Sequence, residues 1–270
     1  TPIFRFFFCA ASISPALFVF LGLGLVMLAM GMMPRLSERA GVTWKVRVGG
    51  WTFLLIGILF GGAYYGIFHE INNRRGLYRE VFEKYAKVKG GHVKTHNIYF
   101  HQEGDKITGV SDLVVTNVGV QSLAHPVLYL NPGLEVTALT GEQGENLSYT
   151  RESQAILLEK ALQPGEEILL HLVYEGKIDE AICFPDFTNE EFHDTRLMSF
   201  FQTYHSMFRH GRCFARVGDD YTLLFPECLW YPVAVSPVNV SAPLARQYDF
   251  TRYRLKVGDI GERVAISQGE

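Results

Sequence analysis

The sequence lacks the short motifs that mark the common enzyme classes. It has no Gly-x-Ser-x-Gly, no phosphate-binding Walker loop and no dinucleotide fingerprint, which argues against a serine hydrolase, an ATPase and a nicotinamide enzyme. Residues 69–73 begin like the zinc-peptidase motif His-Glu-x-x-His, but Asn73 stands where the second histidine is required. The sequence therefore predicts no catalytic residue, no cofactor site and no metal site in this chain.

Cysteine is scarce, with four in 270 residues and no Cys-x-x-Cys. This excludes a disulfide scaffold, a cysteine zinc cluster and thioredoxin chemistry. Cys213 and Cys228 flank a Gly-Asp-Asp turn and are the best-placed pair for a disulfide if this region lies outside the cytoplasm. Buried free thiols are an alternative that the sequence leaves equally open.

The histidines do not follow metal-ligand spacing. His92, His96 and His101 lie close together in sequence, and His205 and His210 are five residues apart. Five residues is not the helical i, i+4 spacing that brings two imidazoles to one ion. We therefore predict solvated surface histidines rather than a metal centre.

Charge is absent from two long segments, residues 6–33 (28 residues) and residues 48–68 (21 residues). Since about 20 apolar residues cross the hydrocarbon core of a bilayer, we predict two transmembrane helices within residues 1–70. Trp51 and Tyr65 lie near the two ends of the second run, where amphipathic rings meet lipid headgroups. The alternative is a pair of buried helices in a soluble protein, which rarely needs uncharged helices of this length.

The charge balance changes sign near Gly90. The chain carries 11 basic and 4 acidic residues before this point and 14 and 24 after it, which gives +7 and −10. The acidic part has no basic excess for phosphate contacts, so we predict no nucleic-acid partner. Residues 35–47 and 70–89 both have a net charge of +3, so the positive-inside rule does not orient the helices.

Residues 71–90 predict an amphipathic connector helix. One stripe of that helix is apolar and the rest carries mixed charges, and Gly90-Gly91 ends it. The stripe consists of Leu77, Tyr78, Val81, Phe82 and Tyr85. The helix could lie on headgroups or join the span to the next domain, and its mixed charge favours the joining role.

Residues 91–270 predict an antiparallel β-sandwich. Short apolar or alternating runs are separated by turn residues, at 112–118, 127–130, 134–139 and 251–257. A hairpin is predicted from 155–162 and 168–174, joined by Pro164-Gly165. A capping-box pattern at 188–191, followed by apolar residues up to Tyr204, predicts a helix inserted between strands.

Several short sequence motifs in this part of the chain occur in an order that is typical of a known family. Pro164-Gly165 precedes a strand that ends in Tyr174-Glu-Gly176, and the run Trp230-Tyr231-Pro232 follows, then residues 248–257 and 264–269. This order resembles the N-terminal β-sandwich domain of the M1 (gluzincin) aminopeptidases. Trp230 and Tyr231 are large aromatic residues, which favours packing of one sheet on the other over direct contact with a substrate. Pro232 favours the end of a strand.

The helices together with this domain resemble bacterial membrane proteins in which an ABC-2-type permease region is fused to an M1-like peptidase. The resemblance implies a multi-pass protein of the bacterial inner membrane, with residues 91–270 extracytoplasmic and residues 35–47 cytoplasmic. M1 enzymes hold zinc through His-Glu-x-x-His and a later Glu, and bind the substrate amino terminus through Gly-x-Met-Glu-Asn. Neither motif is present here. The resemblance therefore places the zinc and the catalytic residues in a domain C-terminal to Glu270.

The implied function is a membrane-anchored, non-catalytic segment whose sandwich shapes and tethers that peptidase domain. Its expected partners are the lipid bilayer and the remainder of the same polypeptide, namely the peptidase domain and other permease helices. A rival interpretation is an extracytoplasmic binding or accessory module of an ABC transporter, without a peptidase. A third makes the chain a subunit of an ABC exporter and adds an ABC ATPase as partner.

Overall fold

The computed structural model describes residues 2–33, 40–85, 88, 91–186, 188–189, 215–235, 251–258 and 264–267. The predicted inserted helix, apart from residues 188–189, lies outside these ranges, as does Cys213. The chain divides into two compact units, which comprise residues 2–73 and residues 74–270.

The first unit is made of long apolar helices. Helix α1 covers Pro2–Met32, and helix α2 begins at Ala40 and ends at Tyr85. Both contain a segment that is long and apolar enough to cross a membrane. Large side chains such as Phe18 and Leu59 point away from the unit, with exposed fractions of 70% and 73%. Exposed apolar side chains of this size on a continuous helix are typical of a surface that faces lipid.

Glycines set the contact between α1 and α2. A Cβ atom on Gly24 would lie 2.8 Å from Cγ of Leu54, and one on Gly57 would lie 2.7 Å from Cδ2 of Leu21. The two helices therefore approach closely where one of them has no side chain, which is how small residues act in helix pairs.

Helix α2 continues through the predicted connector without a break, because residues 69–85 contain no proline and favour the helix. The unit boundary falls inside this helix, between Asn73 and Arg74. Beyond the boundary, Tyr78, Phe82 and Tyr85 of the predicted apolar stripe are buried, whereas Leu77 of the same stripe is 58% exposed. Arg75 is buried on the same stripe, which the hydrophobic pattern did not predict.

The rest of the second unit is mainly β. A five-stranded sheet has the order β10-β1-β2-β7-β4, a three-stranded sheet has the order β3-β6-β5, and β8 pairs with β9. The strands are β1 His92–Glu103, β2 Lys106–Thr116, β3 Val127–Tyr129, β4 Leu134–Thr140, β5 Tyr149–Glu152, β6 Ala155–Leu158, β7 Glu167–Gly176, β8 Ala215–Val217, β9 Thr222–Leu224 and β10 Arg252–Val257.

The core lies on one face of the larger sheet. Buried and half-buried residues alternate along β2 and β7, so that each strand turns every second side chain inward. Leu113 and Leu170, which pair across these strands, are both 0% exposed. Leu128 of β3 and Ile156 of β6 are equally buried, and they belong to the smaller sheet. The outer face of the larger sheet remains half-exposed.

The predicted hairpin between residues 155–162 and 168–174 is wrong. Strand β6 pairs with β3 and β5, whereas β7 pairs with β2 and β4. The Pro164-Gly165 turn therefore carries the chain from one sheet to the other. A Pro-Gly pair specifies a reversal of the chain, but it does not specify the strand with which the next run pairs.

The prediction of a purely antiparallel fold is also wrong in one place. Strand β10 pairs with β1 in parallel, so the larger sheet is mixed. Strand β10 is far from β1 in sequence, and no tight turn sets its direction. It forms the edge of the sheet and is exposed along nearly its whole length, although its alternating sequence is typical of a strand with one buried face.

Candidate functional site

Two clusters of side chains organise the second unit. The first, called the helix anchor below, joins Arg74, Arg75 and Tyr78 of α2 to Asp179 and the short 3-10 turn Glu180–Ile182. The second, the aromatic cluster, consists of His96, Phe100, Trp230, Tyr231 and Tyr253. Within the described ranges, no three His, Cys, Asp or Glu side chains come together as a metal site.

Arg75 is the centre of the helix anchor and is only 2% exposed. Its Nη1 donates to the carbonyl oxygens of Ala181 at 3.1 Å and Cys183 at 2.8 Å, and its Nη2 donates to that of Phe184 at 3.0 Å. Carbonyls at the end of a helical turn have no partner within the turn. The guanidinium therefore donates to two buried carbonyls and one half-buried carbonyl at once, and its planar fork suits this role.

Asp179 holds the other side of the anchor. Its Oδ2 accepts from Arg74 Nη1 at 2.8 Å and from the Tyr78 hydroxyl at 2.7 Å. Its Oδ1 accepts from the backbone N–H of Ala181 at 3.0 Å and so caps the 3-10 turn. One carboxylate thus connects the end of α2 to the segment that follows β7.

Asn131 extends the anchor to a second 3-10 turn, Pro226–Cys228. Its Nδ2 donates to the carbonyls of Asp179 at 3.0 Å and Cys228 at 2.6 Å, while its Oδ1 accepts from the N–H of Asp179 at 2.9 Å. The sequence placed a turn at Asn131 but gave no sign of these bonds. Neither did it single out Arg75 or Asp179, since an isolated polar residue has no periodic signal.

The aromatic cluster contains Trp230 and Tyr231, two of the residues that carried the family resemblance. The rings of Trp230 and Tyr231 lie 4.6 Å apart between centroids, and Trp230 meets Phe100 of β1 edge-to-face at 5.8 Å. Pro232 is buried, and the next residue, Val233, forms a two-way backbone pair with Tyr129 of β3. Residues 230–233 therefore contact strands of both sheets, an arrangement that suits packing.

His96 lies inside the aromatic cluster, not at the surface as predicted, because the β1 register turns it inward. It is 0% exposed, and its ring is 5.6 Å from that of Tyr231 and 5.7 Å from that of Tyr253. In the described part of the chain neither ring nitrogen has a hydrogen-bond partner. Burial lowers the pKa of His96 to about 4, while the charge of Asp112 opposes this shift.

Tyr174 and Gly176 lie at the end of β7 and also pack. Tyr174 is 1% exposed, its hydroxyl is 3.4 Å from Oγ of Ser111, and its ring covers Gly109. Burial raises the pKa of this phenol, so it stays protonated. Gly176 has a φ of +148°, and a Cβ there would lie 2.2 Å from the carbonyl oxygen of Gly133. Only glycine fits this position without strain.

Cys183 and Cys228 are free and buried. Cys213 lies outside the described residues, so its disulfide with Cys228 stays a prediction. Cys228 donates a hydrogen bond from Sγ to the carbonyl oxygen of Phe225 at 2.9 Å.

Comparison with known proteins gives a partial likeness. No family model and no curated protein matches this sequence. Among solved structures, a mutant two-domain M1 zinc metallopeptidase bound to L-tryptophan and the M1 zinc metallopeptidase from Deinococcus radiodurans are each 23% identical over 34% of this chain, with a TM-score of 0.30. The match spans 21% of those chains, about a fifth of their length. This likeness does not assign the chain to the family.

Proposed function

We propose that this chain is a membrane-anchored, non-catalytic segment of a larger bacterial inner-membrane protein, in which ABC-2-type permease helices are fused to an M1-like zinc metallopeptidase. The mainly-β region shapes and tethers a peptidase domain that follows it in the chain. The observation that carries the proposal is α2. This single helix supplies an apolar segment long enough to cross a bilayer and then the turns that hold Asp179.

The tethering role rests on the cost of breaking the helix anchor. Removing Arg75 would take the guanidinium donor from the buried carbonyls of Ala181 and Cys183, and each buried unsatisfied group costs about 1–3 kcal/mol. The last turns of α2 also bury Tyr78, Phe82 and Tyr85. A flexible linker would need none of these contacts, so the end of the helix is an integral part of the β region.

The non-catalytic role rests on how the conspicuous side chains are used. The Trp230-Tyr231 pair, Tyr174 and Arg75 are all engaged in packing or in bonds to the backbone. A catalytic group must reach a substrate, whereas Tyr174 and Arg75 are buried and the half-buried Trp230-Tyr231 pair packs against strand β1. We therefore assign zinc binding and hydrolysis to the domain expected beyond Glu270.

The test uses an antibody raised against residues 91–270 to isolate the native polypeptide, followed by its intact mass and its zinc content. The proposal predicts a mass several times the 30.5 kDa of this chain and bound zinc. A zinc-free product near 30.5 kDa would contradict the peptidase part of the proposal.

One observation favours the rival function, an accessory binding module of an ABC transporter. The loop at residues 117–121 is held by Asn117, whose Nδ2 donates to the carbonyls of Gln121 at 2.8 Å and Leu162 at 3.0 Å. It presents Val118 and Val120, which are 74% and 90% exposed. A fixed loop with exposed valines suits contact with a protein partner. Co-purification of an ABC ATPase with a zinc-free polypeptide would select this function.

A further inference from the structure

Cys183 and Cys228 are two completely buried thiols in neighbouring turns. Each is 0% exposed. Cys183 is the residue that ends the turn Glu180–Ile182, and Cys228 is the last residue of the turn Pro226–Cys228. The two turns pack against each other, with Cα atoms within 8 Å. The chain therefore brings together two cysteines that are far apart in sequence.

The surrounding hydrogen bonds hold the two turns in this arrangement. Asn131 bridges them through its side-chain amide, which donates to the carbonyls of both Asp179 and Cys228. Arg75 donates to the carbonyl of Cys183 at 2.8 Å. Both backbones that carry the thiols are thus fixed by buried donors. A disulfide needs Cα atoms about 4.4–6.8 Å apart, a separation that two turns in contact can provide.

We propose that Cys183 and Cys228 form a structural disulfide when the chain folds in the presence of a disulfide oxidant such as glutathione disulfide. The thiolate of one cysteine attacks a sulfur of the oxidant and releases one thiol. The thiolate of the second cysteine then attacks the mixed disulfide and releases the other thiol. The protein gives up two protons and two electrons, and the oxidant takes them up as two free thiols.

The burial of the pair indicates when this bond forms. Burial raises the pKa of the Cys183 thiol, and the neighbouring Cys228 raises it further. A protonated, inaccessible thiol exchanges slowly, so the bond forms while the turns are still opening and closing. Once closed, it is shielded from reductants in the same way. The bond joins residues 183 and 228 and so closes the loop that contains residues 190–214.

This inference goes beyond the proposed function and is independent of it, since it requires neither a bilayer nor zinc. It also competes with the two alternatives that the sequence leaves open, a disulfide between Cys213 and Cys228 and buried free thiols. Cleavage after Lys and Arg separates all four cysteines into different peptides, covering residues 6–35, 178–196, 213–216 and 217–246. Peptide mapping therefore distinguishes the two pairings directly.

The experiment takes the full chain in detergent through unfolding in urea and refolding in a glutathione redox buffer. Free thiols are then alkylated under denaturing conditions, and the digest is examined by mass spectrometry without reduction. We expect a linked pair of peptides 178–196 and 217–246, and two alkylated cysteines out of four. The variant Cys213→Ser should keep this link, and Cys183→Ser should lose it.

Two results would overturn the proposal. One is a link between peptides 213–216 and 217–246 in the wild-type chain. The other is the alkylation of all four cysteines after the refolding cycle, which would show that the buried pair stays reduced even when the chain has opened to the oxidant.

Discussion

The two units differ in whether they bury their large apolar side chains. In the β region, Leu113 and Leu170 are 0% exposed and lie against other side chains of the same unit. In the helical unit, Leu59 and Phe18 are at least 70% exposed. An apolar side chain that the protein itself does not cover needs a covering from elsewhere. The β region buries its own apolar side chains, whereas the described helices leave many of theirs exposed, and in the proposed function a bilayer covers these side chains.

The polar groups follow the same division. The apolar segments of the helices carry almost no charge, whereas the β region buries Arg75, Asp179 and Asn131 and satisfies them with one another and with the backbone. Buried polar groups are tolerated only when they are hydrogen-bonded. The boundary between the nearly uncharged helical unit and the unit with buried polar side chains lies within α2, at Arg74.

The largest expected effect comes from removing the buried arginine. Arg75→Met should lower the free energy of unfolding of the β region by about 3–5 kcal/mol, because two buried carbonyls and one half-buried carbonyl lose the guanidinium donor. Arg79→Met is the matched control, since Arg79 is half-exposed and pairs with Glu83 one turn away. It should cost less than about 0.5 kcal/mol. Urea unfolding of the detergent-solubilised chain, followed by tryptophan fluorescence, measures both variants. Equal costs would show that the anchor is not structural.

The contrast between the units is tested by placing the same charge on an exposed apolar position in each. Leu59→Lys should disfavour membrane insertion of α2 by about 3 kcal/mol. Val120→Lys, at a position that is 90% exposed in the β region, should leave insertion unchanged. The inserted fraction in microsomes measures both. If both variants insert like the wild type, the exposed face of α2 does not meet lipid.

His96 makes the β region sensitive to acid. Its pKa is lowered to about 4 in the folded chain, so below the ordinary value of about 6.5 the unfolded chain takes up a proton that the folded chain does not. The contribution of the neutral His96 to the free energy of unfolding is therefore complete above about pH 6.5. It falls by about 3 kcal/mol as the pH drops to 4.

The measurement is the free energy of unfolding from pH 7 to pH 4 for the wild type and His96→Phe. The difference in pH dependence between the two chains isolates this histidine from the carboxylates, which titrate in both. Parallel curves would mean that His96 finds a partner or solvent when protonated.

A smaller effect is expected where a family-matching residue packs on a glycine. A Cβ on Gly109 would lie 2.2 Å from the Cζ of Tyr174, so Gly109→Ala should destabilise the β region by about 1–3 kcal/mol. Gly104→Ala is not a suitable control because its φ is +58°. Thr108→Ala, on the half-exposed face beside Gly109, is preferable and should change stability by less than about 0.5 kcal/mol. Thermal unfolding followed by circular dichroism compares the two.

The smallest effect is expected at the surface. Lys94 and Glu167 form an ion pair at 2.8 Å, and both side chains are about half exposed. Lys94→Ala should cost less than about 1 kcal/mol, and this cost should shrink further in high salt because exposed charges are screened. A loss as large as that of Arg75→Met would contradict the distinction between buried and exposed charges.

Much of the fold was accessible from local patterns. The two helices were predicted from the length of the uncharged segments. Strands β2, β4 and β10 overlap segments whose sequence is typical of strands. The errors concern pairing: Pro164-Gly165 reverses the chain but leads β7 to a different sheet from β6. The partner of a strand is set by the long-range fit of its buried face, which a local pattern does not contain.

The helix anchor and the aromatic cluster were harder to predict from the sequence. Tyr174 and Trp230 were noticed because of a resemblance, but Arg75, Asp179 and Asn131 have no periodic or motif signal. His96 was placed at the surface because a single histidine in a strand does not reveal which face is buried. In the structure the bulge between Val93 and Thr95 shifts the register, and His96, Ile98 and Phe100 form the buried face.

The most direct test of the membrane-anchored role is alkaline carbonate extraction of membranes from cells that make the chain. We predict that the polypeptide stays in the membrane pellet with its β region intact to protease, because α1 and α2 are held by lipid rather than by peripheral contacts. Quantitative release into the supernatant as a folded protein would contradict the anchor and with it the proposed function.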